Sequence, residues 1–297
     1  DRTCAITRTI TTPNNPFDVE DLALAPDGTL WAADTGDNGK TRETVALHAV
    51  SPDGSARLYR LTYPDGKHDA EAMLIDGSGI PHIVTKETIG SALVYRPTSA
   101  MSEGAPTPLE QVARVSISTT DTPGGPLTNS VVTRLVTGGA MARDGRVAAL
   151  RTYTDAYLFP VPDGDLAKAL EGDPVRVPLA GEAQGEAIAF DPDGTLLSAS
   201  EFGNAGTSSA LRAVAGATAL VRFFNVLVLF MWEKPWLMPS PRYFDRKLLG
   251  PWSDVYSVGA SMYACLLRAA PAAPGHRKRR PDAISVRERC RRNRTAV

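Results

Sequence analysis

Asp18-Val-Glu-Asp-Leu-Ala-Leu-Ala-Pro-Asp-Gly-Thr-Leu-Trp-Ala-Ala-Asp34 decides how this chain folds, because its pattern returns three times further along. The second copy runs from Asp69 to Lys86 and another from Gln184 to Glu201. A degenerate copy spans Val136 to Arg151. Glu20, Glu71 and Glu186 precede Gly28, Gly79 and Gly194 by one shared interval, and Thr137 takes the Glu position before Gly145. Each copy is a short apolar run, a Gly-containing turn able to adopt positive φ, and a second apolar or β-rich run. That pattern predicts a tight antiparallel hairpin.

Working outward, Val45 to Val50, the turn Ser51-Pro-Asp-Gly54 and Ala56 to Thr62 supply a second pair of strands. Four antiparallel strands per unit, with units about 50 residues apart, fit the blades of a β-propeller. Helical repeats would show a 3.6-residue apolar period, which is missing here. A sandwich would not return Glu and Gly to the same places unit after unit. The expected fold is all-β, a β-propeller with four recognisable blades whose ring closure is left open, and a partly helical C-terminal extension. The expected domains are 1–220 for the propeller, 221–267 for an apolar and helical segment, and 268–297 for a basic, disordered tail.

The chain has 297 residues, 43% of them hydrophobic and 22% charged, with a formal net charge of -1, so composition gives no general pull toward nucleic acid. That average joins an acidic body to a basic end, Arg277-Lys-Arg-Arg280 and Arg287 to Arg294, which reads as a solvated tail. Cys4, Cys265 and Cys290 are the three cysteines, without CxxC spacing, so a zinc site or a disulfide framework is not expected. The chain starts at Asp1 with no initiator Met or apolar leader and reads as a processed or incomplete product. The apolar run Val226 to Trp232 is far shorter than the ~20 residues of a spanning helix, so no transmembrane helix is expected.

In a blade the innermost strand lines the axis and its neighbour runs back antiparallel, so the start of one and the end of the other share a rim. Glu20, Glu71 and Glu186 mark starts; Asp34, Lys86, Arg151 and Glu201 mark ends. Glu20, Glu71, Lys86, Arg151, Glu186 and Glu201 are therefore the candidate ligand-binding residues, with Lys86 and Arg151 suited to clamping an anion. Repeated carboxylates serve equally well as ties between blades. His68, at the entrance to a channel strand, and Glu71 are the candidate acid–base residues. The oxygen-rich Asp34-Thr-Gly-Asp-Asn38 offers Asp34, Asp37 and Asn38 to calcium, although the same residues also make good turns. There is neither a GxSxG elbow nor a GxxxxGK[ST] phosphate loop.

The run from Asp18 to Asn38, with Tyr63-Pro-Asp-Gly-Lys-His-Asp-Ala-Glu71, Leu150-Arg-Thr-Tyr153 and Gln184-Gly-Glu186, resembles secreted actinobacterial propellers related to the "esterase-like activity of phytase" and NHL-repeat groups. The resemblance covers about residues 17–220 and implies a secreted or extracytoplasmic protein. Tyr243 to Leu266 resembles a fragment of the C-lobe of bacterial serine/threonine kinases, and that segment is expected to be helical. The chain has none of the Gly-rich loop, HRD or DFG motifs that kinase activity needs. The leading expectation is a propeller that binds, and as a hydrolase acts on, a small polar or anionic ligand at the charged rim. The alternatives are a non-enzymatic scaffold for a protein partner, and a truncated or fused chain without an activity of its own.

Overall fold

The computed structural model describes residues 6, 9–10, 15–201 and 211–221, all within one compact unit of the chain. The expected helix at Tyr243 to Leu266, the kinase-like fragment and the basic tail lie outside the described residues.

Strands β1 (Asp21–Leu24), β2 (Leu30–Asp34), β3 (Val45–Val50) and β4 (Ala56–Thr62) pair antiparallel in chain order and form the first blade. The second blade is β5 (Ala70–Ile75), β6 (Pro81–Thr85), β7 (Ala92–Pro97) and β8 (Thr107–Val115). The third is β9 (Val136–Met141), β10 (Val147–Thr152), β11 (Asp155–Pro160) and β12 (Val175–Pro178), with the short helix α1 (Leu166–Leu170) before its last strand. Three strands of a fourth are described: β13 (Gly185–Phe190), β14 (Leu196–Ser200) and β15 (Arg212–Val214). The first two blades also join at their outer edges, where β4 and β8 pair in parallel through Leu61 with Thr107 and Thr62 with Pro108.

The hairpins form where the turn residues dictate. Gly28, Gly79, Gly145 and Gly194 all have positive φ, between 68° and 86°, and each donates its N–H to the carbonyl three residues back. A side chain at this conformation is strained, so the Gly fixes the turn and the turn fixes the strand pairing. In the third blade the turn is one residue longer: Ala142 N–H reaches Val147 O, whereas Asp76 N–H reaches Ile80 O and Asp191 N–H reaches Thr195 O.

Stacking of the blades follows from alternation. Along β5, Met73 enters the core shared with the first blade, beside Leu47, Leu61 and Leu109, while Leu74 enters the core shared with the third, beside Val84, Leu150 and Phe159. Along β10, Leu150 faces the second blade and Ala149 packs with Ile188 and Leu196 of the fourth. A sheet buried on both faces between like sheets is the packing of a propeller, and β5 is buried at all six positions. The outward face of the first blade leaves Leu22, Leu24 and Leu30 exposed.

Asp21 ties the inner strands together. Its Oδ2 accepts from Met73 N (2.8 Å) on β5 and Gly139 N (2.9 Å) on β9, so one carboxylate links three blades. Burial pushes its pKa up to about 7, against the lowering effect of those N–H donors.

Candidate functional site

The inner strands share an irregularity at the residues the repeat singles out. Register shifts between Ala70 and Ala72 and between Gly185 and Ala187, so Glu71 and Glu186 stand at β-bulges; in β9, Gly138 pairs with Arg151 but Val136 with Thr152, which leaves Thr137 at the same point. Glu20 precedes β1 and donates its N–H to Ala33 O, the carbonyl of the residue paired with Asp21. A bulge takes its residue out of the in–out alternation and re-aims the side chain. Glu71 stands between the other two in electrostatic reach, acting on Glu20 and acted on by Glu186.

Burial first, and then a neighbouring carboxylate, raises each of the three pKa values. Glu20 rises to about 8, through burial first and then Glu71, Asp18 and Asp69. Glu71 rises to about 7, where burial and the Glu186 charge outweigh the opposing effect of Lys86. Glu186 also rises to about 7, mainly through burial, with Gln184 and Lys86 opposing. Lys86 Nζ donates to Glu71 Oε1, and that pairing holds the ammonium charged despite its burial. Lys86 also sits 5.1 Å from the ring centroid of Tyr153. Glu71 is 4% exposed and its Oε2 is buried without a hydrogen-bond partner. Gln184 Nε2 links Glu186 (3.2 Å) to Glu201 (2.8 Å), which stands at the exposed edge.

Tyr153 is the residue that sequence spacing missed. Lys86 and Glu201 each follow the last residue of their strand, and the residue in that place in the third blade is Tyr153. Counting from the turn Gly misplaces it because the third turn is one residue longer. The sequence pattern sets Arg151 at this rim, and the structure corrects it. Arg151 lies inside β10 opposite Gly138 and is 0% exposed. Its guanidinium donates to Glu182 Oε2 (2.7 Å), Ser198 Oγ (2.9 Å), Ala187 O (3.0 Å) and Ala199 O (3.2 Å). A Cβ on Gly138 or Gly185 would overlap this side chain or press against it, so both glycines make room for it. Arg151 joins the third blade to the fourth and cannot reach a ligand at the rim.

The carboxylate oxygens offered to calcium, those of Asp34 and Asp37, have other partners. Asp34 accepts from Phe17 N (3.0 Å) and Asp18 N (2.9 Å) and forms an ion pair with the Arg42 guanidinium (3.0 Å). Burial would raise its pKa, but these donors and His48 hold it below the usual range. Asp37 caps the turn through Thr41 N and Arg42 N, both at 2.8 Å, and Asn38 is exposed. Among the described residues no group of three or more His, Cys, Asp or Glu is placed to hold a metal ion.

His68 stands apart from the three carboxyls in a cluster of its own. Nδ1 lies 3.2 Å from Glu87, and Nε2 lies 3.1 Å from Asp65 and 3.2 Å from the Tyr95 hydroxyl, with the Tyr63 ring edge-on at 5.0 Å. Both ring nitrogens are engaged, and no direct bond connects His68 to Glu71.

Comparison with solved structures gives distant likenesses. A virginiamycin B lyase from Staphylococcus aureus is 14% identical, with a TM-score of 0.36 over 65% of this chain and 52% of that one. A gluconolactonase from Xanthomonas campestris is 14% identical (TM-score 0.37; 67% and 59% covered), and the PQQ-bound aldose sugar dehydrogenase from Streptomyces coelicolor is 15% identical (0.38; 66% and 60%). The chain spans about half the length of the lyases it is similar to. No family model and no curated protein matches it. The propeller architecture rests on the strand pairing and two-sided burial described above. Among the described residues no helix is long and apolar enough to cross a membrane.

Proposed function

We propose that this chain is an extracytoplasmic β-propeller, related to the esterase-like phytase and NHL-repeat groups, that binds a small polar ligand at the axial carboxyl cluster. The observation that carries this reading is the gathering of Glu20, Glu71 and Glu186 around Lys86, with Glu71 Oε2 buried and unpaired. Buried polar atoms are ordinarily paired, so an orphan oxygen in a crowded carboxyl cluster favours a ligand that supplies the missing donor. With Arg151 committed to Glu182 and Lys86 to Glu71, the balance of charge favours hydroxyl or ammonium donors over anions.

The cluster is also suited to hydrolysing an ester. Carboxyls poised near neutral pH exist in both protonation states, which is what acid–base chemistry requires. Glu186 as carboxylate would take a proton from water as its oxygen attacks the acyl carbon and would then return that proton to the departing alkoxide, giving acid and alcohol, while Glu71, held by Lys86, accepts from the ligand. A scaffold function is the second reading, favoured by the exposed Leu22, Leu24 and Leu30 on the first blade.

Purified protein screened against p-nitrophenyl esters, phosphate esters and calcium, beside Glu71→Gln and Glu186→Gln, separates the two. A hydrolase loses turnover in both variants, while a scaffold turns over nothing in any form.

A further inference from the structure

Two sheet faces at the ends of the blade stack are open. On the first blade Leu22 (58% exposed), Leu24 (70% exposed) and Leu30 share one face, since Leu24 pairs directly with Leu30 and Leu22 stands two residues away on the same side of β1. On the fourth blade Ala187, Ala189 and Ala213 are exposed, and Ala189 and Ala213 flank Leu197 across three strands. A contiguous exposed apolar face is a place of association.

The repeat says what covers each face. Counting back from the turn Gly, Leu22 corresponds to Met73, Gly139 and Ile188, and Ala189 corresponds to Ala23, Leu74 and Ala140. The first set faces the preceding blade and the second faces the following one. Ala23 and Met73 share the core between the first and second blades, and Ala140 and Ile188 share the core between the third and fourth. Between the second and third, a Cβ at Gly139 would stand 3.1 Å from the Leu74 side chain.

At each of these junctions one of the two positions is large and the other small: Met73 with Ala23, Leu74 with Gly139, Ile188 with Ala140. Close packing demands that compensation, because two large residues would clash and two small ones would leave a void. Leu22 is a large member whose small counterpart is missing, and Ala189 is a small member whose large counterpart is missing. Both are exposed, so they do not meet within one chain. Each open face is thus the complement of the other.

We propose that a second copy of this chain supplies the missing neighbour, the first blade of one copy stacking on the fourth blade of the other with Leu22 against Ala189. The contact is heterologous, joining two different faces head to tail. It continues the blade-on-blade packing already present inside the chain, and it gives the leucine patch an occupant without resting on the axial carboxyls.

The test is sedimentation velocity on the full chain at micromolar concentration. The parent should sediment at a mass at least twice the 31.7 kDa of one chain. Leu22→Lys and Ala189→Glu each bury a lone charge in the contact, so each variant should sediment at the mass of a single chain. An equimolar mixture of the two should associate again, because the introduced ammonium of one then meets the introduced carboxylate of the other. Leu24→Lys takes the place of Leu22→Lys should the latter lose the parent's circular dichroism spectrum. A parent at the single-chain mass, either variant staying associated, or a mixture that does not re-form would each overturn the proposal. Ester turnover plays no part in the readout, so its outcome is separate from that of the axial site.

Discussion

Replacing Arg151 with Met asks whether this cation belongs to a ligand or to the fold. The substitution keeps most of the aliphatic volume and removes every donor of the guanidinium. Among the described residues Glu182, 1% exposed, would keep the Ser198 hydroxyl (2.7 Å) and the distant Arg212 Nε (3.7 Å), and the carbonyls of Ala187 and Ala199 would lose the donor shared between blades. Breaking a buried ion pair by deleting one partner costs about 3–5 kcal/mol, because the other charge stays buried and uncompensated. For a folding unit of roughly 200 residues, 1 kcal/mol moves Tm by about 2–4 °C, so the expected fall is about 6–20 °C. Thermal unfolding followed by circular dichroism measures it. The double variant Arg151→Met/Glu182→Leu should recover most of the loss, since it removes both charges. A single variant melting within about 2 °C of the parent, or a double variant no better than the single, would refute the structural assignment.

The remaining expectations concern carboxyls. Asp21, Glu20, Glu71 and Glu186 have folded pKa values of about 7 to 8, above their ordinary ones. The fold therefore favours their protonated forms; that contribution is fully present below about pH 4 and is lost as pH rises through 7 to 8, by roughly 3–5 kcal/mol for each group taken alone. Urea unfolding at pH 5 and pH 9 checks this, and equal stability at the two would contradict it. Asp21→Ala leaves the N–H groups of Met73 and Gly139 without their acceptor and should cost about 2–5 kcal/mol, read from denaturant midpoints. Lys86→Met removes the cation that lowers all three glutamate pKa values, so carbon-13 carboxyl titration should show each rising, Glu71 by about one pH unit or more; no movement at Glu71 would mean that the pair is not formed.

The turn at Gly28 and those like it were legible in the sequence because turn chemistry is local: the Gly with positive φ and the Asp before it act within a few residues. The strands Val45–Val50 and Ala56–Thr62 could be read for the same reason. Arg151 could not be placed, because its partners, Ala187, Ser198 and Ala199, are supplied by the next blade, more than 35 positions along the chain. Tyr153 was hidden by a single extra residue in the third turn, which changes which residue follows the strand end. Asp34 and Asp37 were read as an oxygen-rich loop, whereas the donors that occupy them come from Phe17, Asp18, Thr41 and Arg42 once the chain has folded back.

The bulges explain why charged residues survive at the centre of such a stack. A strand buried on both faces, as β5 is, has no regular position where a carboxyl can remain hydrated: one face meets the preceding blade and the other the next. At a bulge the residue leaves that alternation, so Glu71 and Glu186 reach the axis while Ala70, Ala72, Gly185 and Ala187 stay in the sheets. Thr137 marks the position where the repeat lacks its acid, and its hydroxyl instead donates to Gly185 O (2.7 Å), tying the third blade to the fourth. The third blade therefore adds the Tyr153 ring beside Lys86 and no carboxyl of its own. That substitution removes the near-symmetry of the repeat at the axis: the acids come from three blades, and one cation with one aromatic ring stands where the second and third meet. A ligand held there would be bound in one orientation, a requirement for acting on one bond of it.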